Sequence, residues 1–231
     1  MLRAMKLLLT NDDGIDAAGL ALLAEVCERH GEVLVVAPKD EQSGVGHRVH
    51  TREHLRLDVR APKRFALAGT PADCIRVAMR GLSVTPDWVI SGLNHGGNLG
   101  VDIHMSGTVA GAREAAILGA RAIAISQVLS AKHPPDPARV QRMTAYVVAA
   151  LMARPLPSGR LYNVNLPFLS DTDEPELVYC EPDPSPHDVR YTETEGSYRY
   201  AGVFLDRPRL SGRDVEVVFS GRIAVSELSI V

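Results

Sequence analysis

Apolar positions change their spacing in a regular order along the chain. Lys6 to Thr10 carries a short apolar run that stops at Asn11-Asp12-Asp13-Gly14, the way a buried strand ends in a turn. From Gly19 to His30, residues Leu20, Leu23, Val26 and Cys27 recur at three- and four-residue intervals, which is the stripe of a helix packed on one side. Glu32 to Ala37 is strand-like again. Strand, helix and strand within about thirty residues form a βαβ unit, which implies parallel strands joined by a right-handed crossover.

The same alternation continues past a polar loop from Pro38 to His50. Leu55, Leu57 and Val59 share one face, as on a half-buried strand or hairpin. Thr70, Pro71 and Asp73 occupy the N-cap, first and third positions expected of a helix start. Asp87 to Ser91 predicts a buried strand, Ser106 or Thr108 caps a helix running to about Leu118, and Ala122 to Ser126 predicts a further strand. Pro137 to Met152 has Val140, Met143, Val147 and Leu151 on one side, a helical pattern, and Leu161 to Leu166 is strand-like. From about Ser170 the helical stripes stop. Phe204, Val215, Val217 and Phe219 suggest strands, and Ile223, Val225 and Leu228 another, so a β-rich arm is expected there.

Composition narrows the partners. Lys and Arg number 25 against 28 Asp and Glu, a net charge of −3 over 231 residues. That is too little charge of either sign for a general nucleic-acid or acidic-membrane binder, so a small molecule is the expected ligand. Cys27, Cys74 and Cys180 are odd in number and far apart, which encodes neither a disulfide framework nor a cysteine zinc site. The N-terminal residues lack a signal-peptide pattern, and nowhere do 18 apolar residues run together. A cytoplasmic protein without membrane contact is expected.

The chemistry is suggested by placement. Each unusual polar cluster follows a predicted parallel strand: Asn11, Asp12 and Asp13 the first, Asp40 to Ser43 the second, and Ser91 to Asn98 the strand that starts at Asp87. Loops beyond the carboxyl ends of parallel strands face one crevice, where ligands bind. Adjacent carboxylates, a Ser hydroxyl and Asn amide oxygens are hard donors suited to Mg²⁺, Mn²⁺ or Ca²⁺, and a dication would relieve the repulsion between neighbouring Asp side chains. Alone, Asn-Asp-Asp-Gly reads more simply as a turn; its position after the first strand, with a second oxygen-rich loop following the next, favours the metal site instead. Ser106-Gly107-Thr108 opens a helix and follows Gly96, Gly97 and Gly100; a helix start with hydroxyls is either an N-cap or an anion cradle. A hard-metal site and an anion cradle on one sheet edge together suggest phosphate-ester chemistry.

Competing motifs are absent. There is no Gly-Lys dipeptide and hence no Walker A loop, and no G-x-G-x-x-G, G-x-S-x-G or H-E-x-x-H. His47, His50 and His54 lie close together among arginines, which favours an exposed loop or strand over a zinc site. His104 precedes the helix start and is a candidate proton donor or phosphate contact.

Several blocks in order resemble the SurE survival-protein nucleotidases: Leu9-Thr10-Asn11-Asp12-Asp13-Gly14-Ile15, Gln42-Ser43-Gly44 with Gly46-His47, Gly69-Thr70-Pro71-Ala72-Asp73-Cys74, Ser91-Gly92-Leu93-Asn94 with Gly97-Asn98-Leu99-Gly100, Ser106-Gly107-Thr108-Val109, and Asn163-Val164-Asn165-Leu166-Pro167. The resemblance implies a Rossmann-like three-layer α/β sandwich with a mostly parallel sheet over residues 1–169, and a C-terminal β-rich oligomerisation arm over 170–231. It implies a metal-dependent phosphatase acting on nucleoside 5′- and 3′-monophosphates, with one divalent cation, Mg²⁺ or Mn²⁺, per subunit. The metal ligands would be Asp12, Asp13, Ser43 and Asn94. Asn98, Ser106, Gly107 and Thr108 would lie beside the phosphate, and Asp12, Asp13, Asn98 and Ser106 would carry catalysis. A homodimer or homotetramer is implied. Two other readings of such a pocket stay open: a non-catalytic nucleotide- or metal-binding stress regulator, and an exopolyphosphatase with incidental nucleotidase activity.

Overall fold

The first βαβ unit forms where the spacing predicts it, with β1 at Lys6–Thr10, α1 at Ala18–Glu28 and β2 at Glu32–Pro38. This is seen in a computed structural model that describes residues 4–130, 132–168, 172 and 174–230. β3 (Leu57–Ala61) and β4 (Arg64–Leu67) make a hairpin. α2 (Pro71–Arg76) follows and passes into one π-helical turn, Val77–Gly81. Next come β5 (Trp88–His95), a 3₁₀ turn (Gly100–His104), α3 (Gly107–Ile117), β6 (Arg121–Gln127), α4 (Pro137–Met152) and β7 (Arg160–Leu166).

These strands form one sheet in the order β3-β4-β2-β1-β5-β6-β7, completed by two C-terminal strands. β4, β2, β1, β5, β6 and β7 pair in parallel. The chain leaves β1 towards β2 on one side and returns to β5 on the other, so the strand order reverses at β1. Beyond the carboxyl ends at that reversal, loops diverge and leave a crevice.

Side-chain alternation in β1 shows why both faces are covered. Leu7 and Leu9 pack with Leu20 and Leu23 of α1 and Val147 and Leu151 of α4. Leu8, between them, packs on the opposite face with Cys74 and Ile75 of α2 and Val109 and Ala112 of α3. All are buried, and a strand buried on both sides reads as a continuous apolar run because successive side chains point opposite ways. The result is a three-layer sandwich, helices on both faces of a mostly parallel sheet. Gly19 lets α1 approach β5 closely: a Cβ there would stand 2.1 Å from the Leu93 carbonyl oxygen.

The C-terminal part is mixed. β8 (Leu177–Tyr179) and β11 (Ile223–Ser229) extend the main sheet, β11 running antiparallel to β7. β9 (Tyr191–Thr194) and β10 (Ser197–Tyr200) form a separate exposed hairpin. The strand expected from Val215, Val217 and Phe219 is instead α5 (Asp214–Phe219), and Phe204 lies in a 3₁₀ turn, Phe204–Asp206. The β-branched valines suggest a strand by propensity. Asp214 and Glu216 in the first turn complement the helix end, and burial of Val215, Val217 and Val218 with Leu99 and Val128 outweighs the intrinsic preference. The expected boundary at residues 169 and 170 lies outside the described residues.

Candidate functional site

Asp12 and Asp13 leave the end of β1 directly into the crevice. Asn11 secures their turn by donating its Nδ2 hydrogen to the Gly14 carbonyl at 2.9 Å. Asp12 is buried and its Oδ1 accepts a short hydrogen bond from the Thr108 hydroxyl at the start of α3. Contact there is close. A Cβ on Gly107 would come within 2.9 Å of both Asp12 Cβ and Asp12 Oδ2, so the helix start can meet this carboxylate only because residue 107 has no side chain.

Burial raises the Asp12 carboxyl from 3.8 to about 6, partly offset by the Thr108 hydroxyl and increased by the Asp13 charge. Asp13 is also raised, mainly by burial, while its bond from the His95 amide works the other way. Two neighbouring acids whose charged forms are disfavoured by burial form a place where a cation is favourable. Asp13 Oδ2 accepts from His95 N at 3.4 Å, linking the end of β1 to the end of β5.

Asn94 stands on that same end of β5. The register between β5 and β6 shifts between Ser91 and Asn94, an irregularity that re-aims side chains near sheet ends. Its Nδ2 donates to the Gly96 carbonyl at 2.7 Å, so the amide oxygen is the atom left to supply to a ligand. Ser43 reaches the crevice less directly. The amide of Gln42 donates to the Asp12 carbonyl at 2.7 Å, but Ser43 itself is exposed and its hydroxyl donates to Glu41 Oε1 at 2.5 Å. The structure thus joins Asp12 and Thr108 by direct contact, brings Asn94 to Asp13 through the neighbouring His95 N–H, and brings Ser43 to Asp12 through the neighbouring Gln42 N–H. Asp12, Asp13, Ser43 and Asn94 can supply the all-oxygen set that a hard dication takes. Among the described residues no three His, Cys, Asp or Glu side chains converge as a metal site.

Ser106 is the N-cap of α3: its oxygen accepts from the Val109 amide at 3.0 Å. The cap uses the oxygen and leaves the hydroxyl proton for another acceptor. The first N–H groups of any helix lack intrahelical partners, and here they belong to Gly107 and Thr108. Asn98 is buried and held rigidly. Its amide Nδ2 donates to Ser126 Oγ at 2.7 Å, its backbone N–H donates to Asn165 Oδ1 at 2.8 Å, and its carbonyl accepts from Asn163 and Asn165 at 2.9 and 3.0 Å.

Sequence reasoning does not single out Ser126, Asn163 and Asn165 as site residues. The available signal is two Asn residues, two apart, inside an otherwise apolar strand, which puts both on one face. The histidine cluster also differs from the exposed loop expected of it. His47 and His50 are half-buried and bonded to buried acids, whereas His54 is exposed. His104 ends the 3₁₀ turn and is exposed.

No helix among the described residues is long and apolar enough to cross a membrane. Relatives carry similar names. A putative 5′-nucleotidase of Nostoc sp. is 44% identical, over 98% of this chain and 100% of its own length. A 5′-nucleotidase SurE of Vibrio campbellii is 34% identical, over 99% of this chain and 90% of its own. The crystal structure of the SurE protein from Aquifex aeolicus superposes with a TM-score of 0.86 at 30% identity, covering 98% of this chain and 94% of the other. The family model described as Survival protein SurE matches residues 7–188. With the strand-end acids, the capped helix beside them and this breadth of likeness, the chain belongs to the SurE family.

Proposed function

We propose that this protein is a metal-dependent phosphomonoesterase that hydrolyses nucleoside 5′-monophosphates, and 3′-monophosphates as well, to nucleoside and phosphate. The observation that carries it is the contact of the buried Asp12 carboxylate with the start of α3 at Gly107 and Thr108. That contact puts the paired acids against the start of α3, where both the hydroxyl and the backbone N–H of Thr108 face Asp12. The names of the relatives as 5′-nucleotidases supply the substrate class.

One divalent cation per subunit, Mg²⁺ or Mn²⁺, would be held by Asp12, Asp13, Ser43 and Asn94. When bound, it would offset the two carboxylate charges, polarise phosphoryl oxygens and lower the pKa of water. The N–H of Gly107 and the Ser106 hydroxyl donate to non-bridging phosphoryl oxygens, where charge accumulates in the transition state, and Thr108 lines the same place through its contact with Asp12. Asn98, clamped by Ser126, Asn163 and Asn165, fixes the wall of the pocket beside them, so little reorganisation is needed when substrate enters. Thr108 keeps the Asp12 carboxylate in one orientation by donating its hydroxyl hydrogen. The protein acts in the cytoplasm as a homodimer or homotetramer.

Phosphate release from AMP and GMP tests this reading. Activity is expected with added Mn²⁺ and is expected to be lost to EDTA and restored by excess cation. Tight nucleotide binding without phosphate release under those conditions would instead favour a non-catalytic regulator. Faster release from polyphosphate than from monophosphates would make the nucleotidase activity incidental.

A further inference from the structure

The loop between β2 and β3 carries Ser43, and it is long for a connection without regular structure. Loops of that kind hold one shape only when tied down internally. At its near end Gln42 N bonds the Asp12 carbonyl at 2.7 Å, and Gly46 N bonds the Met105 carbonyl at 3.0 Å. Its far end docks on two almost fully buried carboxylates, each 1% exposed. His47 Nε2 lies 2.8 Å from Glu114 Oε2 on α3. His50 uses both of its donors on Asp73 of α2, the backbone N–H to Oδ1 at 2.9 Å and the ring Nδ1 to Oδ2 at 2.6 Å.

Neither acid is there only to serve its own helix. Asp73 completes a capping box with Thr70, and a capping box needs no histidine. Thr70 adds a tie of its own, donating its hydroxyl hydrogen to the Arg48 carbonyl at 2.7 Å. Glu114 lies two turns below the helix start that meets Asp12, among small residues of α3. It is shared between His47 and Arg76 Nε, the latter at 2.6 Å. Burial works against charge on both acids, yet these bonds hold Asp73 and Glu114 below the ordinary carboxylate range. A buried carboxylate bonded in this way resists displacement, because removing its partner leaves charge uncompensated.

We propose that His47 and His50 are positioning residues which dock the Ser43 loop onto Glu114 and Asp73 and thereby hold it across the acidic pocket of Asp12 and Asp13. They touch neither cation nor substrate. They set how well the loop closes the donor set, and this rests on the cation site proposed above. The substitutions His47→Gln and His50→Asn keep a donor close to each bonding atom, since a glutamine amide reaches about as far as Nε2 and an asparagine amide about as far as Nδ1.

The test is Mn²⁺ binding by calorimetry on the full chain, with amide hydrogen exchange of the loop measured without metal. The variants are His47→Ala/His50→Ala, His47→Gln/His50→Asn and, as control, the exposed His54→Ala. The alanine pair is expected to weaken Mn²⁺ binding by about 10-fold or more, the usual cost of removing the groups behind a ligand. Loop exchange should quicken, and the amide pair should restore most of both properties. A lowered melting temperature with unchanged Mn²⁺ affinity and unchanged loop exchange overturns the proposal and leaves the histidines as ordinary stabilising contacts. If the alanine pair does not fold, exchange and Mn²⁺ affinity in the single variants decide in the same way. Wild-type protein that binds no Mn²⁺ removes the cation reading itself, an outcome distinct from equal binding by wild type and variants.

Discussion

Asp12 combines burial with a fixed orientation, its Oδ1 held by the Thr108 hydroxyl. Its carboxyl is raised from 3.8 to about 6, with burial the largest cause. Without a cation, the folded state therefore holds a proton that the unfolded state has already released between these values. The carboxylate's burial cost is absent below about pH 4 and fully present above about pH 6. At about 1.4 kcal/mol per pKa unit, that cost is at most about 3 kcal/mol. Asp12→Asn is expected to abolish most phosphate release, and to make metal-free protein more stable than wild type at pH 7 but not at pH 4. Urea melts at both pH values in EDTA read this; equal stabilities at pH 7 would remove the account of a costly buried charge. Gly107 is the counterpart. In an ordinary helix Ala is favoured over Gly by about 1 kcal/mol, but here the added Cβ would stand 2.9 Å from Asp12. Gly107→Ala should therefore destabilise, by about 1–3 kcal/mol from overpacking, and depress turnover at saturating metal. Higher stability with full turnover would show that α3 can shift away without consequence.

At the scale of elements, starts and ends are the legible part. Thr70-Pro71-Ala72-Asp73 predicts a capped helix, and the structure has the full reciprocal capping box. Ser106 is expected as a cap or phosphate contact, and its cap bond is made. Such signals are local: a side chain satisfies backbone groups three residues away, so neighbours in sequence are enough to specify it. Less is legible where a strand's partners matter. Asn163 and Asn165 lie inside β7 with no local need for an amide, and their purpose appears only when β7 carries them to the Asn98 loop. Asn165→Ala should leave the buried Asn98 N–H without its acceptor, which costs about 1–3 kcal/mol. A rise in KM for AMP is expected along with it. A stability loss with unaltered KM would make the clamp purely structural. α5 marks the other limit, because the alternating valines of that segment suit a strand until burial against Leu99 and Val128 is known.

For the molecule as a whole, the hairpin of β9 and β10 is the part that lacks an obvious support. All eight of its strand residues are exposed, including Tyr191, Tyr198 and Tyr200. It pairs only with itself among the described strands. A lone two-stranded hairpin is marginal in water, and clustered exposed aromatics mark association surfaces. Replacing the three tyrosines with serine is expected to shift the protein towards monomer in light scattering at micromolar concentration. An unchanged mass would remove the hairpin as an association surface. The base of this segment is well tied to the core. Arg207 donates to both Asp102 oxygens, at 2.6 and 3.1 Å, and buried Asp214 accepts from the Gly100 and Asp183 amides at 2.7 and 2.8 Å.

The linear spacing of apolar residues by itself determined the parallel α/β core. Burial on two faces or on one leaves a different period in the chain, and that period survives without knowledge of the neighbours. It also located the oxygen-rich turns at strand ends, since turn residues are chosen locally. What only the tertiary structure decided was which of those turns meet. Asp12 and Thr108 lie 96 residues apart and bond only because β1 and β5 pair and α3 crosses behind them. The burial of Glu114 and Asp73, and the capture of His47 and His50 by them, were decided in the same way. A side chain's electrostatic surroundings are set by whatever packs around it, and packing is a property of the assembled layers.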